Sequence, residues 1–333
     1  MDIDFVVLWV DGNDPEWQAQ KAKFQGKIID DGNAVNRFRD WGLMPYWFRA
    51  VEKFCPWVRK VHFVTCGHVP DWLNLDCPKL KHVKHSDYIP EEYLPTFSSH
   101  AIEMNVHRIP DLAEHFVLFN DDTFLIRTMS IEAFFRDRLP CTYGGEVPAA
   151  FFGQPGIWQH IIVNDLRVIN NHFSKRLQVS QFGKKYADSA YRWQDNIRTK
   201  MLEKIFPECF LGFKNLHAPA AFSKSTYVTL WDLEPELLHQ TCCNRFRSND
   251  DVNQWLAQWW QIASGNFSPY MVDNIVEDVT EDTIDALCDI IHKQSHDMVC
   301  VNDPSDSVDF QTLSLLLKQA FEAILPEKSS FER

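Results

Sequence analysis

The sequence predicts an α/β protein in which a mostly parallel sheet, flanked by helices, precedes a mostly helical second half. Three observations lead to this prediction. Continuous apolar runs rich in β-branched residues, at 4–10 and 116–119, are typical of strands buried on both faces. Segments with helix start and stop signals alternate with these runs, as expected when helices cover both faces of a parallel sheet. Beyond about residue 145, the periodic segments have helical spacing.

The first half of the chain contains four predicted strands and three predicted helices. The first helix has the clearest start, because Asp14 can cap it, Pro15 fits the first helical position and Glu16 adds an early acid. The second helix is closed by Cys55 and Pro56. The predicted strands are 4–10, 59–65, 80–85 and 116–119, and the predicted helices are 14–24, 45–54 and 99–108.

A boundary between two regions of the chain is predicted at 140–156, which is rich in proline and glycine. It divides the chain into an α/β region, residues 1–145, and a mostly helical region, residues 146–333. The last residues, 326–333, are expected to fray. The predicted helices of the second region are 158–173, 189–206, 234–243, 250–264, 280–294 and 309–324.

The composition restricts the function classes. The 333 residues carry a formal net charge of -13, which argues against a nucleic-acid partner because duplex binding favours a basic face. No apolar run approaches the ~20 residues that a membrane helix needs, and no basic leader precedes the first strand. The nine cysteines form no C-x-x-C pair, which favours reduced thiols and a cytosolic protein.

Three polar residues, Asn120, Asp121 and Asp122, directly follow the buried strand 116–119. Because ligands bind at the carboxyl ends of parallel strands, this triplet and Asp11 are expected to face one crevice. Carboxylates there can hold Mg²⁺ or Mn²⁺ against a diphosphate, since hard cations take oxygen ligands. The alternative is a capped turn, because Asn and Asp also favour turns.

The predicted helix 99–108 carries two stripes. Ile102 and Val106 are spaced to face the core. On spacing alone, the opposite face is a solvated surface rather than one that faces a ligand. That polar stripe consists of His100, Glu103 and His107.

Two later segments combine cationic and imidazole groups. His217 and Lys224 lie in the first segment, and Arg245 and Arg247 in the second. Arginine is the preferred clamp for phosphate oxygens. A lone loop histidine is more often a hydrogen-bonded structural residue, so spacing alone leaves the role of His217 open.

Taken together, segments from most of the range 4–260 resemble the Stealth family, in the family's order. The first block is D-F-V-V-L-W-V-D-G at 4–12; the second comprises R-F-R-D at 37–40, F-C-P-W-V-R-K at 54–60, L-P-T-F-S-S-H-A-I-E-M-N-V-H-R at 94–108 and N-D-D at 120–122; the third is 217–224 and the fourth 245–255. Stealth proteins include bacterial capsular polysaccharide phosphotransferases and the α/β subunit of the lysosomal-enzyme N-acetylglucosamine-1-phosphotransferase.

The resemblance implies a glycosyltransferase-A-like fold in which residues 1–145 bind a UDP-sugar and residues 146–333 complete the active site. A hydroxyl of a growing capsular polysaccharide would attack the β-phosphorus of the donor, for example UDP-N-acetylglucosamine, and UMP would leave. The length of the chain suits the bacterial capsule branch, whose members would act in the cytoplasm and associate peripherally with the capsule assembly machinery at the inner face of the membrane. No anchor segment is evident in the sequence.

The resemblance also implies residue roles. Asp121 and Asp122 would hold the metal ion, Mg²⁺ or Mn²⁺, and Glu103 would contact the donor, which reverses the interpretation based on spacing alone. His217 and Arg247 would lie at the reacting phosphate, where a neutral His or an Asp takes the acceptor proton. The nucleotide-sugar pocket would be formed by Trp9, Asp11, Gly12, Arg37, Arg39, Asp40, Ser99, Lys224 and Arg245.

Two other functions compete with this one. An ordinary sugar transferase of the same fold would attack the anomeric carbon of the donor and release UDP instead of UMP. A non-catalytic sugar- or nucleotide-binding protein would need no convergent Asp, His and Arg groups, so their presence argues against it.

Overall fold

The computed structural model describes residues 1–25, 38–151, 153–303 and 309–333. Its centre is a five-stranded sheet in the order β3-β2-β1-β4-β8. The first four strands are parallel, which confirms the predicted α/β class with a mostly parallel sheet. These strands are β1 (Ile3–Leu8), β2 (Lys60–Thr65), β3 (Leu80–Lys84) and β4 (His115–Phe119).

The fifth strand, β8 (Ala220–Ser223), pairs antiparallel with β4. The sequence pattern predicts no strand there, because four residues are too few to show a period. Two small sheets accompany the central sheet in the described part of the chain. One joins β5 (Thr123–Leu125), β10 (Asn274–Asp278) and β11 (Met298–Asn302); the other joins β6 (Phe135–Arg136), β7 (Leu139–Thr142) and β9 (Ser268–Pro269).

Helices cover both faces of the central sheet and dominate the second half of the chain, as predicted. One buried apolar cluster lies on each face, so each strand of the sheet contributes side chains to both clusters. The helices are α1 (Pro15–Phe24), α2 (Met44–Phe54), α3 (Ser99–Met104), α4 (Ile157–His172), α5 (Lys175–Tyr186), α6 (Trp193–Ile205), α7 (Lys224–Leu233), α8 (Pro235–Cys243), α9 (Gln254–Ala263), α10 (Ile284–Lys293) and α11 (Phe310–Ile324).

The first and third helices differ in how well the sequence predicts them. Asp14 caps α1 as predicted, and its Oδ1 accepts a hydrogen bond from the Trp17 amide at 2.8 Å. The predicted helix 99–108 instead changes at Asn105, where a 3₁₀ turn begins. The Asn105 side chain donates back to the Ala101 carbonyl at 2.8 Å and thereby competes with the regular helical pattern.

The carboxyl end of the chain is ordered, so the expectation that 326–333 frays is wrong. Phe331 is buried in the core. Glu332 forms an ion pair with Arg49 on α2, with 2.9 Å between the Arg49 Nε and Glu332 Oε1 atoms. A core contact and an ion pair thus hold this end of the chain against α2. Both depend on residues that are distant in the sequence, so the local sequence pattern cannot reveal them. No helix in the described part of the chain is long and apolar enough to cross a membrane.

Candidate active site

A cleft opens where β1 and β4 end. One part of it, the carboxylate cavity, has a volume of about 250 Å³. Asp121 and Asp122 project into it directly after β4, as expected for ligands at the carboxyl ends of parallel strands. The cavity is also lined by Trp9, Arg39, Asp40, Ser99, Glu103, His217 and Arg247, all of them predicted site residues.

Asp122 and His217 form a close pair across the cleft. The His217 Nε2 atom lies 3.2 Å from the Asp122 Oδ2 atom. His217 has a φ angle of 44°, a left-handed conformation that is uncommon outside glycine but more accessible to Asn, Asp and His. The pair unites two predicted site residues that are far apart in the sequence.

The other oxygen of Asp122 suits a cation. Asp122 Oδ1 is buried and has no hydrogen-bond partner among the described residues. Ligand atoms from Asp122, His217 and Cys300 lie within 4.8 Å of one another. Oxygen ligands suit Mg²⁺ or Mn²⁺, whereas the added nitrogen and sulfur would suit softer cations such as Zn²⁺. The donor set therefore fits a divalent cation at Asp122.

Charge is concentrated around the other carboxylates of the cavity. The Asp121 carboxylate is open to water in the cleft, but the protein around the cleft partly desolvates it. This desolvation and the charges of Asp122 and Asp40 raise the pKa of Asp121 to about 7. Burial also raises the pKa of Asp40, and the nearby charge of Asp11 adds to the effect. A divalent cation would relieve this crowding of carboxylates.

Ser99 and Glu103, which are predicted to contact the donor substrate, lie on α3 and face the second half of the chain. Ser99 Oγ accepts hydrogen bonds from Arg247, at 3.0 Å from the Nη2 atom and 3.3 Å from the Nε atom. Glu103 Oε2 accepts from the Gln254 amide at the start of α9, at 3.1 Å. Arg247 and Glu103 are therefore held in place by polar contacts and reach the cleft from opposite halves of the chain.

A second, larger cavity of about 600 Å³ adjoins the first. We call it the aromatic cavity, because Tyr143, Phe151, Trp158, Trp255 and Tyr270 contribute to its lining. Asparagine and glutamine side chains supply many of its polar groups. The two cavities share a wall formed by Ser99, Glu103, Asn120, His217, Arg247 and Asn302.

The helix face that spacing assigns to solvent is in fact buried. His100, Glu103 and His107 are each less than 10% exposed, because α8 and α9 pack on this side of α3 and α7 packs on the 3₁₀ turn that holds His107. The His100 Nδ1 atom lies 2.8 Å from the Asp251 Oδ2 atom. Val106 is buried as predicted, whereas Ile102 is half-buried and lines the carboxylate cavity instead of lying fully in the core.

The predicted nucleotide segment is only partly at the cavity. Arg39 lines it and is held by Asp303, with 2.7 Å between the Arg39 Nε and Asp303 Oδ2 atoms. Asp11 and Gly12 do not line either cavity. Gly12 packs closely against Phe38, which does line the carboxylate cavity: a Cβ atom on Gly12 would come within 1.9 Å of the Phe38 carbonyl oxygen. Arg37 lies outside the described residues.

Two other predicted donor contacts are not brought to the site. Ser223 pairs with His115 at the start of β4, so Lys224, the next residue, lies at the opposite end of β4 from Asp122. Lys224 begins α7, because β8 runs antiparallel to β4 and carries the chain away from the cleft. Arg245 donates to the Pro95 carbonyl at 2.7 Å and lines neither cavity.

Three residues at or beside the cleft are not predicted from the sequence pattern. Asn302 lies on the shared wall, Asp303 holds Arg39, and Cys300 lies beside Asp122. Burial and the charge of Asp122 raise the pKa of the Cys300 thiol far above its usual range. The sequence does contain a signal for them: the apolar run at 298–301 is followed by Asn302 and Asp303, just as the run at 116–119 is followed by Asn120 and Asp121.

Comparisons with known proteins identify the family to which the chain belongs. Two family models match: Stealth protein CR1, conserved region 1, over residues 1–28, and Stealth protein CR2, conserved region 2, over residues 37–141. The matched regions include the ends of β1 and β4, where the cleft opens.

Full-length relatives have similar names. A capsular polysaccharide phosphotransferase, WcwK, from Streptococcus pneumoniae is 38% identical over 99% of this chain and 98% of its own length. The receptor polysaccharide phosphotransferase WefC from Streptococcus oralis is 36% identical over 99% of both chains. The exopolysaccharide phosphotransferase cps2G from Lactiplantibacillus plantarum is 35% identical over 100% of this chain and 96% of its own.

The parallel sheet, its carboxylate-lined cleft and the full-length similarity define a transferase enzyme. The chain belongs to the Stealth family, and it is a phosphotransferase.

Proposed function

We propose that this enzyme transfers a hexose 1-phosphate from a UDP-sugar to a hydroxyl of a growing capsular polysaccharide and releases UMP. The observation that carries the proposal is the pair of adjoining cavities with a shared wall. A group transfer needs donor and acceptor sites that meet at the reacting atom. His217, Arg247 and Glu103 lie on the wall where they meet.

The carboxylate cavity is the proposed donor site. Asp121 and Asp122 would hold Mg²⁺ or Mn²⁺, which when bound neutralises charge on the diphosphate. Arg39 and Arg247 add cationic groups to a cavity of otherwise mostly acidic charge. Trp9, whose ring stacks on Phe63 at 5.4 Å, gives one wall an aromatic surface.

The aromatic cavity is the proposed acceptor site. Aromatic faces stack on sugar rings, and amide side chains pair with hydroxyl groups. Beyond the shared wall, the cavity carries few charged side chains, which suits a neutral sugar. The relatives' names, which mention capsular and receptor polysaccharides and exopolysaccharide, support a polysaccharide acceptor. A UDP-sugar donor would come from the cytoplasm, so we propose that the enzyme acts there.

The chemical step follows from the shared wall. The acceptor oxygen forms a bond to the β-phosphorus, the bond from that phosphorus to the oxygen of UMP breaks, and the acceptor proton passes to His217. Asp122 is close enough to orient the imidazole and stabilise its charged form. Arg247, steadied by Ser99, offsets negative charge on the transferred phosphate. Such a step depends mainly on positioning and charge neutralisation.

Product analysis tests the proposal. The enzyme is incubated with UDP-N-acetylglucosamine, Mg²⁺ and capsule fragments from which phosphodiesters have been removed. UMP and a new phosphodiester, detected by chromatography and phosphorus NMR, are the expected products. Release of UDP with a new glycosidic bond would instead identify an ordinary sugar transferase of the same fold.

A further inference from the structure

Helix α6 presents an apolar stripe to solvent. Trp193, Ile197, Met201 and Ile205 recur at every fourth position and are 67%, 57%, 51% and 57% exposed. Residues at this spacing lie along one face of a helix. A row of four large apolar side chains on a surface differs from the scattered exposed apolar residues of ordinary proteins and is typical of an interaction site.

The opposite face of α6 is polar and holds the helix in this orientation. Asp195, Thr199 and Leu202 are the buried positions. Thr199 Oγ1 accepts a hydrogen bond from the Glu146 amide at 3.1 Å. Arg198, which pairs with Asp195 on the same helix, donates from its Nε atom to the Glu146 carbonyl at 3.0 Å. Turning the apolar stripe inward would expose Leu202 and leave these polar groups without their partners, so the outward orientation is built into the sequence.

The surroundings of the stripe have the opposite charge to the rest of the protein. Residues 175–206 contain eight of the 33 Lys and Arg residues but only three of the 46 Asp and Glu residues. Lys200 and Lys204 directly precede Met201 and Ile205 and are exposed. In a chain with a net charge of -13, this is a local cationic region around an apolar surface.

We propose that α6 docks on an anionic lipid surface, with the stripe in the boundary between headgroups and acyl chains. Helices that lie on membranes combine an apolar face, often with Trp, and flanking Lys or Arg. A second copy of the chain fits less well, because pairing two identical α6 faces would bring their cations together. The acidic remainder of the protein is repelled by the same lipid surface, which sets the orientation of the molecule.

Docking would place the aromatic cavity near the membrane. The Arg198 Nη2 atom lies 3.0 Å from the hydroxyl oxygen of Tyr143, which lines that cavity. About one helix diameter, roughly 10–12 Å, therefore separates the lipid surface from the proposed acceptor site. An acceptor sugar held at the membrane would reach the cavity. This consequence rests on the proposed function, but the docking itself does not.

Vesicle sedimentation tests the docking. The full chain is mixed with vesicles of phosphatidylcholine, with or without phosphatidylglycerol, at low and high salt. We expect binding to the phosphatidylglycerol vesicles that weakens with salt. Ile197→Glu should weaken the binding about tenfold or more, because it removes apolar surface that the membrane would bury and adds a charge that the anionic lipids repel. Each of Lys200→Gln and Lys204→Gln should weaken it about fivefold.

Leu315→Glu is the matched control, since Leu315 is another exposed apolar residue, 56% exposed, on α11. It should bind vesicles like the wild type. The proposal is overturned if the wild type does not bind phosphatidylglycerol vesicles or if Leu315→Glu weakens binding as much as Ile197→Glu. It is also overturned if ultracentrifugation shows that the wild type is a dimer that Ile197→Glu dissociates. UMP release from soluble substrates is measured separately, so failure of docking and failure of the proposed chemistry are distinguishable.

Discussion

The backbone of His217 is in a conformation that most residues avoid. Its φ angle is 44°, and its imidazole lies beside Asp122, with 3.2 Å between the His217 Nε2 and Asp122 Oδ2 atoms. Unfavourable backbone conformations of this kind are found mainly at functional sites, where the surrounding structure maintains them. The geometry thus agrees with a chemical role for His217, which a lone loop histidine in the sequence leaves open.

Asp122→Asn tests the carboxylate at the centre of the cleft. We expect turnover to fall at least about a thousandfold, because an amide neither binds a divalent cation as a carboxylate does nor stabilises charged His217. The fold should be retained, since Asp122 is only half-buried in an open cleft. Steady-state rates and circular dichroism measure the two effects, and exposed Asp282→Asn is the control. Full activity of Asp122→Asn, or of wild type in excess EDTA, would contradict this assignment.

Arg247→Lys tests whether a planar, two-pronged cation is needed at the shared wall. A lysine keeps the charge but cannot contact Ser99 and a phosphate with the same fork, so a loss of ~2–4 kcal/mol in transition-state stabilisation is expected. The ratio kcat/KM for the donor measures it. Arg245→Lys is the matched control, because Arg245 lies two residues away and lines neither cavity. Equal losses in both variants would indicate a structural effect only.

Among the elements, α3 shows most directly how the site is assembled. Its polar side contacts α8 and α9, which come from the second half of the chain. Glu103 meets the start of α9, and His100 meets Asp251. These partners are about 150 positions away in the sequence, so spacing along α3 predicts a solvated face where the folded chain has a buried one.

Substitutions on α3 and on the 3₁₀ turn that follows it separate the cleft side of this segment from its core side. Glu103→Gln should slow catalysis while changing thermal stability little, because the glutamine oxygen can still accept from the Gln254 amide. Val106→Asp should lower the free energy of unfolding by about 3 kcal/mol or more, since it buries an unpaired charge where Val106 is fully buried. Urea unfolding and initial rates provide the two measurements. A stable, active Val106→Asp variant would show that this side does not face the core.

The elements also show what the sequence can predict. β1 and β4 belong to continuous apolar runs, β2 is rich in β-branched residues, and α1 has a strong cap, so local pattern is enough to find them. The short strand β8 forms because it pairs with β4, which is distant in the sequence, and this pairing requires no periodic apolar pattern within β8 itself. β11 does have an apolar pattern, but it pairs with β5 and β10 and not with the central sheet.

At the scale of the whole molecule, the site is formed by segments from the entire chain. The carboxylates follow β4, His217 precedes β8, Arg247 precedes α9, and Asn302 ends β11. The strand-end rule locates the carboxylates, because it depends on the direction of the strands alone. It cannot separate Arg247 from Arg245, since only tertiary packing decides which of two nearby side chains reaches the cleft.

The charge crowding around Asp121 links metal binding to the stability of the whole protein. The ordinary pKa of an Asp is 3.8, and in the folded, metal-free protein that of Asp121 is raised to about 7. Between these values the folded state binds a proton that the unfolded state lacks. The stabilisation is therefore complete below about pH 4 and is lost as the pH rises through about 7.

A divalent cation should reverse this loss, because it binds the ionised carboxylate and competes with the proton. We expect Mg²⁺ or Mn²⁺ to raise the melting temperature more at about pH 8 than at about pH 5.5. Asp121→Asn should remove part of the pH dependence and much of the metal effect. Thermal melts of both proteins across this pH range, with and without cation, measure it. Buried Asp165, whose pKa is also raised, is present in both proteins, so their difference reports Asp121 together with the carboxylates whose charges act on it. A cation effect that is independent of pH and unchanged in Asp121→Asn would place the metal ion away from this carboxylate.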